Sequence, residues 1–171
     1  VLSKLNYWVI GLLGFTIVIG HNLLSPIQFE PNEAGYTLWT ILHDRGYIVE
    51  DALFPIKVSY PVLPWIGVIL VGYFAGPIYH HARSIENRKK LLLTLGLTCY
   101  ACLLVLRGFN LYGETIDWQT QETLVMTIMD FFNYTKYPPS LDFALATIGT
   151  GLLLLRVFES FDNRLTDALN V

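Results

Sequence analysis

Arg107, Asn110, Tyr112, Trp118, Lys136 and Tyr137 are the side chains of this sequence best suited to bind a polar ligand. All six fall between Leu106 and Ser140, in a polar, aromatic-rich connection held between two apolar runs. A guanidinium beside an amide and a phenol can bind a carboxylate, sulfate or phosphate. Trp118 has the face on which a sugar ring stacks, as do Trp65 and Tyr60. The paired prolines Pro138-Pro139 exclude helix and present Lys136 and Tyr137 from a fixed backbone. Each has a structural alternative. Arg107 at the end of an apolar run can snorkel to an interface, and aromatic residues there form belts by default. Arg107→Ala is expected to abolish acceptor-dependent turnover while leaving the protein inserted.

A second set of candidates lies in the connection after Tyr79. Arg83, Arg88 and Lys89, with Lys90, form a basic cluster opposed only by Glu86, and could hold the phosphates of a nucleotide-bearing cofactor. Membrane topology explains the same cluster, because short basic connections stay in the cytoplasm. His21 follows the first apolar run, next to Asn22. It reads as a hydrogen-bonded structural residue, with acid-base chemistry at a membrane-water boundary as the alternative. His43 falls on an amphipathic segment, and His80 and His81 on the basic connection. No pair has metal-ligand spacing with a third ligand, so no metal is expected. Cys99 and Cys102 share one face of an apolar helix and read as packing. Asn133-Tyr134-Thr135 matches a glycosylation sequon.

The elements that must position these groups are membrane helices. Apolar residues make up 53% of the chain and charged residues 15%, too little polar surface for a soluble domain of this length. The net charge of -3 argues against a nucleic-acid partner. The fold class expected is all-α: a polytopic membrane bundle of about four transmembrane helices plus two extracytoplasmic amphipathic helices. The whole of 1–171 reads as one transmembrane domain, with spans at about 5–24, 58–79, 91–107 and 141–158. The outer connections are then 25–57 and 108–140, and both termini are cytoplasmic. The amphipathic segments are 36–47 and 124–132. Ser140 is placed to cap the fourth span, with Asp142 complementing the helix dipole in its first turn. Apolar helix faces can pack on lipid or on a partner, so a homo-oligomer and a hetero-oligomer are equally open.

Four stretches carry a resemblance. They are Tyr60 to Gly67 with Gly72-Tyr73, Leu106-Arg107 with Asn110, Tyr112 and Gly113, then Trp118, and Asn133 to Leu141. In this order they resemble the heparan-alpha-glucosaminide N-acetyltransferase catalytic-domain family of polytopic membrane proteins. One departure is Glu114-Thr115, where the family usually has an acidic residue followed by proline. The resemblance implies transfer of acetyl from cytoplasmic acetyl-CoA, as co-substrate, to an amine or hydroxyl of a sugar on the outer side. It also implies a longer protein, of which this chain is the middle to C-terminal portion. The half bearing the histidine thought to be catalytic would lie outside it. The expectation is an integral protein of a bacterial inner membrane, with a non-catalytic membrane subunit of a larger complex as the alternative. A small transporter fits less well, because the spans hold almost no charge.

Overall fold

A computed structural model describes residues 5–50 and 53–160. Four helices form its frame: α1 (Tyr7–Gly20), α3 (Leu63–Ala75), α4 (Ile85–Gly108) and α6 (Leu141–Phe158). One-turn 3-10 segments extend α1 through His21–Leu24 and α3 through Gly76–Tyr79. Three of these segments, Tyr7–Leu24, Ile85–Gly108 and Leu141–Phe158, are long and apolar enough to cross a membrane. The fourth, Leu63–Tyr79, is shorter. The expected second span at 58–79 therefore loses its first residues, and the prolines give the reason. Pro61 bars helix at Tyr60, while Pro64 fits the first turn of α3, where its missing N–H costs nothing.

The third expected span, 91–107, lies inside a longer helix, α4, which begins at Ile85. Ser84 caps it, its Oγ accepting from the amide of Asn87 at 3.3 Å. Arg88, Lys89 and Lys90 are thus in the first turns of a helix, and the connection proper is shorter than expected.

The helices pack as two antiparallel pairs, α1 with α3 and α4 with α6. Small residues let the backbones approach, as in many membrane helix pairs. A Cβ on Gly14 would stand 2.8 Å from the amide nitrogen of Val71, and one on Gly149 would stand 3.0 Å from Cys99 Cβ. Val18, Leu141 and Ala144 form a small core where the pairs meet. Trp8, Leu12, Ile69, Leu97 and Leu104 stay exposed on the outer faces, where a bilayer would cover them.

The long connections share one end of the bundle, and the turn 79–84 is at the other. The first connection is not purely helical. It holds the short helix α2 (Tyr36–Leu42) and then an antiparallel pair, β1 (Gly46–Val49) with β2 (Ile56–Val58), pairing Gly46 with Val58 and Tyr47 with Lys57. The expected amphipathic helix over 36–47 stops at Leu42, because the strand claims Gly46 and Tyr47. In the second connection α5 (Leu124–Phe131) lies over the apolar stripe read from the sequence. Thr123 caps it, accepting from the amide of Met126 at 3.2 Å.

Candidate functional site

Arg107 organises the second connection. It occupies the last turn of α4 and is only 2% exposed. Nε donates to the carbonyl of Phe131 at 3.1 Å and Nη1 to that of Ile116 at 2.7 Å. Nη2 reaches the carbonyls of Asp130 at 3.1 Å and Asn133 at 3.3 Å. Three of these acceptors stand at the C-terminal end of α5, where carbonyls lack helical partners and the dipole favours a cation. Arg107 therefore closes α5, and one guanidinium N–H remains of the five.

Its neighbours are tied into the same loop. Trp118 Nε1 donates to the carbonyl of Arg107 at 2.8 Å, and Asn110 Nδ2 to that of Trp118 at 3.0 Å. Asn110 holds a left-handed backbone, φ 47°. The Tyr112 hydroxyl donates to the carbonyl of Ile19 and pins the loop to α1. Glu114 accepts from the amides of Thr115 and Thr135, each at 2.8 Å. Asp130 accepts from the amide of Gln119 at 2.8 Å and the side chain of Gln121 at 3.2 Å, and these bonds hold its carboxyl below the usual aspartate range. Burial pushes the Tyr134 phenol up, and the ring centroid lies 5.8 Å from the guanidinium carbon.

Arg107, Asn110, Tyr112, Glu114, Asp117 and Asp142 enclose a polar cavity of about 50 Å³. Ser140 caps α6 as expected, accepting from the amide of Phe143 at 3.0 Å. Asp142 does more than face a helix dipole. It is fully buried, and neither carboxylate oxygen has a hydrogen-bond partner among the described residues. Gly113, at φ 108°, leaves it room: a Cβ there would stand 2.7 Å from Asp142 Oδ1.

A second cavity, of about 40 Å³, lies on the other side of α6. Val18, Pro64, Trp65, Val68, Phe143 and Ile148 give it apolar walls, and Pro139 and His21 stand at its edge. His21 is 3% exposed. Its carbonyl takes a 2.8 Å hydrogen bond from the ring of His43, which stacks on Trp39. Its own ring has no hydrogen-bond partner among the described residues, Nδ1 being buried and unpaired. The expected hydrogen-bonded structural role of His21 is thus not seen in its ring, and the neighbouring Asn22 accepts from the amide of Leu141 at 3.0 Å and joins α1 to α6. A histidine ending an apolar run was the sequence signal for this cleft. The absence of ring partners depends on tertiary packing and could not be read from spacing.

Lys136 and Tyr137 are not among the residues that line either cavity. Tyr137 donates to the Tyr60 hydroxyl at 3.2 Å, and the rings meet edge to face at 4.8 Å. Lys136 Nζ and the guanidinium carbon of Arg45 lie 5.3 and 5.6 Å from the Tyr137 ring centroid. Arg45 escaped the sequence reading because it belongs to the other connection.

The basic candidates are at the opposite end of the bundle. Arg88 makes a bidentate pair with Glu159, Nε and Nη2 each at 2.6 Å, and lies over the Tyr79 ring. Lys89 approaches Glu86 at 3.7 Å, and Arg83 is in the turn before α4, its amide donating to the carbonyl of His80. Among the described residues, no group of three or more His, Cys, Asp or Glu is placed to hold a metal. Cys99 packs on Gly149, while Cys102 is exposed.

Comparison with known proteins places this arrangement. No curated protein and no solved structure matches the chain. The family described as "Heparan-alpha-glucosaminide N-acetyltransferase, catalytic" matches residues 1–106. That stretch runs from α1 through the His21 cleft's side of the molecule and nearly all of α4, ending one residue before Arg107. More than half of the sequence is matched, and the chain belongs to the heparan-alpha-glucosaminide N-acetyltransferase catalytic-domain family.

Proposed function

We propose that this protein is a membrane-embedded acyltransferase in which His21 serves as the acid-base group for acetyl transfer at the outer end of the bundle. The observation that carries this reading is the buried imidazole itself. His21 lies in a segment apolar enough to span a bilayer, its ring without a hydrogen-bond partner among the described residues, beside an apolar cleft. Ionisable groups in such positions are costly and mark function more often than packing. A free ring nitrogen can take the proton from an attacking amine or hydroxyl, and apolar walls keep water from a thioester or acetylated intermediate.

The remaining candidates take roles around this centre. Trp118 offers the acceptor an aromatic face at the mouth. Arg107, Asn110 and Tyr112 hold the outer lid, with the last guanidinium N–H available to an acceptor anion. Arg83, Arg88 and Lys89 hold the phosphates of acetyl-CoA at the cytoplasmic end. The donor is acetyl-CoA, and the acceptor is a sugar amine or hydroxyl on the extracytoplasmic side. Both termini face the cytoplasm of a bacterial inner membrane, as the basic residues of 83–90 direct.

The test is transfer in oriented proteoliposomes, with radiolabelled acetyl-CoA outside or inside and glucosamine on the opposite face. Label on the sugar only when donor and basic end share a compartment supports the proposal. No transfer in either orientation, with intact protein, supports a non-catalytic membrane subunit.

A further inference from the structure

We propose that Arg45, Lys136, Tyr60 and Tyr137 form a binding site for the phosphate of an outer-leaflet anionic phospholipid, whose acyl chain follows the apolar cleft below. This goes beyond the transfer reading and does not require it.

Position comes first. Tyr60 precedes α3, Tyr137 precedes α6, and Arg45 precedes β1, so three segments bring their side chains to one place at the outer helix ends. Headgroups lie at that depth in a bilayer, and tyrosine is enriched there because its ring is apolar and its hydroxyl wet. Charge comes next. Arg45 and Lys136 approach one tyrosine ring from different connections, 5.6 and 5.3 Å from its centroid. Neither has a carboxylate within ion-pair distance among the described residues. The adjacent Asp44 is turned to the amide of Arg45, at 2.7 Å, and not to its guanidinium. Both connections are otherwise rich in acid, with Glu30, Glu33, Glu50, Glu114, Asp117, Glu122 and Asp130, so two cations converging on one ring make a local concentration of positive charge. Two cations flanking an aromatic ring suit a phosphate diester, which accepts from both at once.

Residues close in sequence to this platform line an apolar cleft. Pro139, two residues beyond Tyr137, and Pro64 with Trp65, four and five residues beyond Tyr60, line that cleft together with Val68 and Phe143. An amphiphile therefore meets basic groups and then hydrocarbon in the order that its own structure requires. Trp65 and Phe143 are half-buried against the cleft. A phosphate held here forms one wall of the mouth above His21, so lipid composition would regulate access to that cleft.

The protein in nanodiscs of phosphatidylcholine, with and without a minor share of phosphatidylglycerol, tests this by native mass spectrometry and thermal unfolding. The expected result is retained phosphatidylglycerol in preference to phosphatidylcholine by roughly ten- to thirtyfold, with a higher midpoint. Arg45→Gln/Lys136→Gln should erase both. These side chains are exposed, and far-UV circular dichroism checks that the double variant keeps its helices. Equal retention of the two lipids, or a preference surviving in the double variant, overturns the proposal. Inorganic phosphate alone reproducing the midpoint shift in phosphatidylcholine discs would assign the platform to a free anion and overturn the lipid source.

Discussion

Two cavities of similar size flank the first turns of α6, about 50 Å³ on the Arg107 side and about 40 Å³ on the His21 side. Their chemistry differs. On the Arg107 side nearly every polar group is already used: the guanidinium by four carbonyls, Glu114 by two amides, Trp118 and Asn110 by each other's loop. On the His21 side the walls are mostly apolar, and His21 has no hydrogen-bond partner for its ring among the described residues. Committed groups build a lid, whereas an uncommitted group in an apolar cleft has its hydrogen-bonding capacity left for a ligand. Asp142, buried in the crowded cavity, and the Tyr134 hydroxyl beside Arg107 are the exceptions that test this division, since neither has a partner among the described residues.

The largest structural effect is expected at Arg107. Arg107→Ala leaves four carbonyls without their donor, at a cost on the order of 3 kcal/mol or more. Limited proteolysis within 108–140 should rise sharply and turnover should fall, while the protein remains inserted. Unchanged protection of the loop would break the account of Arg107 as its organiser. A smaller effect is expected at the other end of α4, where Arg88 joins two helices through Glu159. Glu159→Gln should lower stability by about 1–3 kcal/mol without altering loop protection, measured by the same proteolysis and by thermal unfolding. A matching loss of loop protection would mean that the two ends of the bundle are not independent.

Acid should produce the smallest change. The Asp130 carboxyl is held below its ordinary range by the Gln119 amide and the Gln121 side chain. Its contribution is therefore present above the unfolded-state value and lost as pH falls through the lower folded value. Exchange protection of the Gln119 amide should drop in that acid window. In Asp130→Asn the drop should be absent, and its persistence there would assign the effect to another group.

Much of this architecture was legible from residue order. The apolar runs, the Ser140 cap and the α5 stripe follow from local pattern, and the structure carries them at those places. Helix starts were less legible, because Ser84 extends α4 through charged residues that hydropathy alone counts as loop. The β1–β2 pair was missed since its pairing is non-local, and Gly46 and Tyr47 also fit a helical reading. At the candidate site, the sequence located the polar connection but not how its groups are used. Arg107 has the same letter whether its guanidinium meets carbonyls of α5 or an external anion. His21 and Asp142 likewise differ from ordinary cap and boundary residues only in what packs around them, which no spacing encodes. Arg45 and Tyr60 meet Tyr137 across two connections, beyond any local motif.

The comparison of the two cavities is tested most directly by measuring acetyl-transfer rate and thermal midpoint together for His21→Gln and Asp142→Asn. The account predicts a rate loss of roughly 10²–10⁴-fold for His21→Gln with little change in midpoint. For Asp142→Asn it predicts a rate near wild type and an equal or higher midpoint, since an unpaired buried carboxylate is exchanged for a neutral amide of the same shape. A rate retained in His21→Gln and lost in Asp142→Asn would place the chemistry in the Arg107 cavity and contradict the account.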